Sequence, residues 1–276
     1  PTQISFPAYS MHHAAETRAA KNTHKRILFH TSHLMVPLLV INDSIFVFDV
    51  DHVRILRDHG IVGVLVGSLP KAPQQNVFLG LPLQLSIYEA IWLVQAGIAT
   101  LVDGLKFNTF LALKNKGSAL ITLPSAVPYA ITYDTHRHGP GDDLTPFTIL
   151  PEDMISQYCK METNYAESRE FWPHYLAFKY LRDSQYFMMP GLRFGGAFVA
   201  YPGDPLKFHS HWIVKVLRPQ EEIDLLKLVT SGRLATAVKK AWLLVSEEKV
   251  LQRGAENSIT ASPKMQAFSI EWAGFG

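Results

Sequence analysis

A chain of 276 residues, 47% of them apolar, is long for one compact domain and has enough apolar content to build the cores of two small ones. The 26 Lys and Arg against 24 Asp and Glu leave a formal charge of +2, which excludes a strongly basic coat, so any contact with nucleic acid has to come from a local patch. A single cysteine, Cys159, excludes an internal disulfide and a cysteine-rich zinc site and fits a reducing compartment.

Residues 1–36 read as a flexible basic and histidine-rich extension. His12, His13, His24, His30 and His33 lie here with Arg18, Lys21, Lys25 and Arg26, against one acid, Glu16. A transit peptide has the same bias, but an extension is the commoner cause, and the irregular histidine spacing specifies no metal site. The most apolar run, Leu34 to Val50, is broken by Pro37, Asn42, Asp43 and Ser44. It falls short of the roughly 20 apolar residues that span a bilayer, so no membrane span is expected and the chain reads as soluble and intracellular.

The next unit, 37–112, reads as a small mixed α/β domain. Ile45 to Val50 is a β-branched and aromatic strand, Asp51 to His59 a short helix closed by Gly60, and Val62 to Val66 a further strand. Ser86 and Glu89 make a capping box ahead of the apolar residues Ala90, Ile91, Leu93 and Val94, with Gly97 as the stop. Ile98 to Val102 resumes as a strand. From 113 to 165 the prolines Pro124, Pro128, Pro140, Pro146 and Pro151 sit among Gly, Ser and Asp, around His136, Arg137 and His138. This stretch reads as a linker without persistent regular structure.

The second domain, 166–276, opens on a helix from Pro173 to Ser184 that carries Tyr175, Phe178, Tyr180 and Leu181. Pro190-Gly191 turns the chain into a strand over Leu192 to Tyr201. A helix is expected over Gly232 to Lys239, a strand over Ala241 to Val245, and a last strand over Ala267 to Trp272. The fold class is therefore α/β of the mixed kind: a small N-terminal α/β domain and a C-terminal domain with a mixed sheet flanked by helices.

The stretch from Phe194 to Trp212, FGGAFVAYPGDPLKFHSHW, concentrates chemistry. Pro202-Gly203-Asp204-Pro205 ends a strand directly after Tyr201, and an extended segment beyond it sets His209 and His211 on one face. A hairpin of this kind brings a phenol and an imidazole together. Each residue also has a bland reading: a strand-end tyrosine is usually half-buried core, a lone histidine structural, and Lys239-Lys240 a solvated helix end. Asp204, His209 and His211 are too few to specify a metal.

In combination these residues resemble the tRNA intron endonuclease family. Phe194-Gly195-Gly196, Tyr201-Pro202-Gly203-Asp204-Pro205 and His209-Ser210-His211 match its catalytic domain. Arg233-Leu234-Ala235-Thr236-Ala237-Val238-Lys239-Lys240 looks like its second motif, which closes on a catalytic lysine. Leu69 to Leu83, LPKAPQQNVFLGLPL, is similar to the N-terminal domain of the eukaryotic subunit that cuts the 3′ splice site. Ala197 departs from the family, which commonly has an acidic residue there.

The resemblance implies a metal-independent, lyase-type endoribonuclease that removes introns from precursor tRNA and needs no cofactor. It implies Tyr201 as general base, His209 as general acid and Lys240 as the stabiliser of phosphate charge, with a 2′,3′-cyclic phosphate and a 5′-hydroxyl as products. The chemistry of the residues does not choose between His209 and His211; the family match selects the first. A free phenol titrates near 10, so Tyr201 needs a positive neighbour, and Lys240 is the expected one. A helix here would turn Leu234, Val238, Ala241 and Val245 to the core and leave Arg233, Thr236 and Lys240 as a polar stripe. The implied partners are precursor tRNA, a second catalytic subunit and two structural subunits in a heterotetramer, the small structural subunit pairing with the C-terminal strand. A non-catalytic structural or RNA-binding subunit of the same complex is the alternative, and the presence of all three residues argues against it. The expected compartment is the nucleus, or else the cytosolic face of the mitochondrial outer membrane.

Overall fold

The computed structural model describes residues 35–67, 79–115, 144–161, 171–218, 221–248, 259 and 263–272. Residues 1–34 of the extension expected at 1–36, most of the Leu69 to Leu83 stretch and the linker histidines His136 and His138 lie outside these residues, while Val36, the last residue of that expected extension, begins a buried strand.

Two five-stranded sheets organise the described residues. The first has the order β3-β4-β2-β1-β5, built from β1 (Val36–Ile41), β2 (Ser44–Val47), β3 (Val64–Gly67), β4 (Gly80–Leu85) and β5 (Ala99–Asp103). All six residues of β1 are buried. That explains why sequence periodicity does not announce it: a strand covered on both faces is a continuous apolar run, without alternation. It pairs antiparallel with β2 through a turn at Asn42, which takes a left-handed φ of 53°, and parallel with β5.

The helix α1 (Val50–Asp58) begins where the expected strand was to continue, because the Asp49 carboxylate caps the amides of Asp51 and His52. The capping box of α2 (Ile87–Gln95) forms as read, with Ser86 Oγ accepting from Glu89 N while the Glu89 carboxylate accepts from Ser86 N at 2.9 Å. A helix α3 (Gly104–Asn115), not among the elements expected from the sequence, packs on β1 and β5. Inside the stretch read as linker, a helix α4 (Pro151–Met161) carries Glu152 and Asp153 in its first turn and Lys160 in its last, charges that favour the helix dipole. Pro151 opens this helix rather than breaking it.

The second sheet has the order β10-β9-β8-β7-β6, from β6 (Phe187–Pro190), β7 (Phe198–Tyr201), β8 (Trp212–Leu217), β9 (Ala241–Glu247) and β10 (Met265–Ile270). All neighbours are antiparallel except β8 and β9. The strand expected from Leu192 shrinks to β7, because a 3-10 turn at Leu192–Phe194 and a left-handed Gly195 precede it. The helix α5 (Phe171–Asp183) covers one face, packing on β6, β8 and β9. The helix α6 (Leu225–Ala237) lies on the other, with Ala235 against Ile213, Trp242 and Leu244.

α2 and α5 pack against each other and join the halves. Tyr88 lies within ring contact of Phe171, Phe178 and Phe198, and the buried Tyr175 donates its hydroxyl to Gln95 Oε1 at 2.7 Å. Burial raises the Tyr175 phenol well above its ordinary value, so this hydroxyl stays a donor at every physiological pH. Arg182, 5% exposed, donates to the carbonyls of His59 and Tyr186 at 2.9 and 2.8 Å. A guanidinium buried this far is tolerable because carbonyls and the Trp92 and Phe187 rings surround it.

Candidate active site

Three adjacent strand ends build the site. β7 ends at Tyr201, whose neighbour across the sheet is Phe187 of β6. The amide of His211 donates to Ala200 O at 3.0 Å, and the carbonyl of His211 accepts from Ala241 N at 2.9 Å. His211 thus stands between the end of β7 and the start of β9, and Lys240 is the residue just before that start. The backbone of Tyr201, of the His209–His211 segment and of Lys240 therefore gathers at one end of the second sheet. By strand alternation Tyr201 shares its sheet face with Val199 and, through the register, with Ile213. That face is the one α6 covers.

The segment after Tyr201 is a compact turn rather than an extended strand. Asp204 O accepts from the amides of Lys207 and Phe208 at 2.8 and 3.0 Å, and Asp204 Oδ1 accepts from Leu206 N at 2.9 Å. Phe208 folds back over Gly203, where a Cβ would sit 2.7 Å from the ring. Only glycine leaves room for that return. His209 follows on the exposed side, Ser210 is buried, and His211 points its ring at Trp212, 5.2 Å away. The expectation that His209 and His211 share a strand face does not hold, because β8 begins only at Trp212. The two histidines differ instead in setting: His211 is pinned by its backbone between two strands, whereas His209 rides on the turn.

Lys240 does not lie on a helix. α6 ends at Ala237, Val238 is its C-cap, and Lys239 takes a left-handed φ of 55°. The amide of Lys240 closes that turn on Ala235 O at 2.8 Å. Lys240 therefore shares no helical stripe with Arg233 and Thr236, and Leu234, expected in the core, is 44% exposed. Alternation along β9 restores the direction by a different route: Trp242, two residues on, faces α6, so Lys240 projects to the same side as Tyr201. Its ammonium lies 5.2 Å from the centre of the Phe194 ring and donates to Val238 O at 3.4 Å.

Two further residues belong to this environment. Asp204 forms a two-point ion pair with Arg57 of α1, Nη2 to Oδ1 at 2.8 Å and Nε to Oδ2 at 3.3 Å. The Arg57 hydrogen bond, helped by the Leu206 amide, holds the Asp204 carboxyl below its ordinary value. Phe194, quoted for its motif, supplies the surface under Lys240. Nothing in the sequence pairs Arg57 with Asp204 across 147 positions. With Asp204 neutralised, Lys207, Lys239 and Lys240 give this sheet end a cationic rim suited to a phosphodiester. Among the described residues no group of three His, Cys, Asp or Glu side chains is disposed to hold a metal ion.

Residues 36–104 match the family model of the TSEN34-like N-terminal domain, and residues 171–252 match that of the tRNA intron endonuclease catalytic C-terminal domain. The probable tRNA-splicing endonuclease subunit sen34 of Schizosaccharomyces pombe is 34% identical over 285 residues, covering 87% of this chain and 98% of its own. The tRNA-splicing endonuclease subunit SEN34 of Saccharomyces cerevisiae is 31% identical, covering 83% and 98%. The human subunit Sen34 is 26% identical over 78% of this chain and 95% of its own.

Proposed function

Since the chain belongs to the Sen34 family of tRNA-splicing endonuclease subunits, we propose that it is the subunit that cuts intron-containing precursor tRNA at the 3′ splice site. The observation that carries this reading is the convergence of Tyr201, the His209 turn and Lys240 at one end of β7, β8 and β9.

The chemistry follows from what RNA brings to such a site. The 2′-hydroxyl beside the scissile phosphate is an internal nucleophile, so no water has to be activated. Tyr201, as the phenolate, takes the 2′-hydroxyl proton and becomes the phenol, and the 2′-oxygen attacks phosphorus. The bond to the 5′-oxygen breaks, and His209 delivers a proton to that leaving oxygen. Lys240 offsets the charge that builds on the non-bridging oxygens. The intron ends in a 2′,3′-cyclic phosphate and the 3′ exon begins with a 5′-hydroxyl. On this reading the reaction needs neither metal nor cofactor.

The chain works inside an assembly of a second catalytic subunit and two structural subunits. β10 supports one of these contacts: it is an edge strand of the second sheet, with Phe268 57% exposed, and an open edge invites a partner strand. Substrate choice rests on tRNA shape and an unstacked bulge rather than on a linear base code. The same reading assigns the complex to the nucleus, with the cytosolic face of mitochondria as the alternative. The test is cleavage of a precursor tRNA by the reconstituted complex in excess EDTA, with end-group analysis. Cyclic phosphate and 5′-hydroxyl ends at the 3′ site support the proposal. Loss of cleavage in EDTA, or a 5′-phosphate on the 3′ exon, refutes it.

A further inference from the structure

We infer that Arg57 is a positioning residue for the leaving-group acid, acting through Asp204 on the turn that carries His209; the inference rests on the role of His209 proposed above. The His209 turn is short, exposed along Leu206 to His209, and joins its sheet at Tyr201 and His211. A turn so held does not fix an imidazole to the fraction of an ångström that proton transfer to a defined oxygen requires. Asp204, inside it, is anchored from the first half of the chain. The Asp204 carboxylate takes both the Nη2 and the Nε of Arg57, while its Oδ1 also receives the amide of Leu206. The carbonyl of the same residue receives the amides of Lys207 and Phe208. Asp204 is thus the internal hub of the turn, and Arg57 fixes the hub.

Arg57 is itself firmly seated. It lies in the last turn of α1, and Gly60, which follows that helix, adopts a φ of 77° directly over Arg182. Arg182, buried in α5, bonds the His59 carbonyl and so locks the end of α1 onto the half that bears the site. A planar two-point pair sets both distance and orientation, which a lysine does not reproduce. The first sheet's half therefore contributes to catalysis by fixing the loop of the second.

The test uses the reconstituted complex under single-turnover conditions, with a natural precursor tRNA and with one whose 5′-bridging oxygen at the 3′ splice site is replaced by sulfur. A thiolate leaves without a proton, so the second substrate does not need a positioned acid. Arg57→Ala and Asp204→Asn should each slow 3′-site cleavage of the natural substrate about 10- to 100-fold, the range that small misplacement of a catalytic group costs. Precursor binding should stay within about twofold, Arg57→Lys should fall between, and the Arg57→Ala/Asp204→Asn double variant should be no worse than either single one. The sulfur substrate should restore both variants, as it restores His209→Ala. If His209→Ala is slow and rescued by sulfur while Arg57→Ala is not slow, or is slow without rescue, the positioning role is wrong and the acid assignment stands. If His209→Ala itself shows no defect, the underlying assignment fails instead.

Discussion

The ammonium of Lys240 lies 5.2 Å from the centre of the Phe194 ring, and Phe194 in turn packs on the apolar cluster beneath α6. The lysine is therefore held by an aromatic face and a carbonyl, which leaves its charge available to an incoming phosphate. Lys240→Ala should lower the single-turnover rate by about two orders of magnitude or more, as expected for removal of a charge stabiliser. Phe194→Leu keeps apolar volume and removes the aromatic seat. A cation–π contact at a partly exposed site is worth about 0.5–1 kcal/mol, so this variant should lose about two- to fivefold in rate, with precursor affinity unchanged.

The ion pair of Asp204 makes a prediction about pH. Because Arg57 holds the Asp204 carboxyl below its ordinary value, its contribution is present above the usual carboxylate range and is lost only as pH falls through the lowered value. Across pH 6 to 8 the carboxylate stays charged. The rate loss from Asp204→Asn should therefore be constant over that range, as read from single-turnover pH profiles. A loss that disappears at one end of the range would show that Asp204 titrates and is not a fixed anchor.

Glu89 behaves in the opposite sense. Burial raises its carboxyl above 4.5, against the lowering effect of hydrogen bonds from Ser86 and Gly63. A group with a raised folded value lends stability that is complete below its ordinary value and declines as pH rises through the folded one. Urea unfolding of the full chain should show stability falling with pH over that window, and Glu89→Gln should flatten the fall. Glu89→Ala removes the capping box and orphans the Gly63 amide, and should cost about 1–3 kcal/mol.

At the edge of the second sheet, Phe268→Lys should weaken co-purification of the small structural subunit by about tenfold, since an edge lysine opposes strand addition. Cleavage by complexes that do assemble should be unchanged. Undiminished assembly would remove β10 from the interface.

Parts of this architecture are legible in the residues because a local cause sets them. The Ser86 and Glu89 pair announces α2, and Pro202-Gly203 announces the end of β7, each through hydrogen bonds or φ constraints within a few positions. What is hidden depends on distant or atypical backbone. β1 gives no alternation because both its faces are covered. The helical pattern before Lys240 reads on through Val238 and Lys239, since nothing in a Val-Lys-Lys run signals that a non-glycine residue will take a φ of 55°. The order of Tyr201, His209 and Lys240 is visible as motifs, but their common location at one sheet end follows from the pairing of β7, β8 and β9. Arg57 has no local signature at all, since its partner lies 147 positions away and is met only once the end of α1 is bonded to the second half through Arg182.

The proposed chemistry depends above all on His209 as the proton donor to the leaving oxygen. In the reconstituted complex, His209→Ala should reduce single-turnover cleavage at the 3′ splice site by at least about two orders of magnitude while the 5′ site is still cut, with His211→Ala far milder. Cleavage at the 3′ site by the His209→Ala complex at the unmodified rate would contradict it.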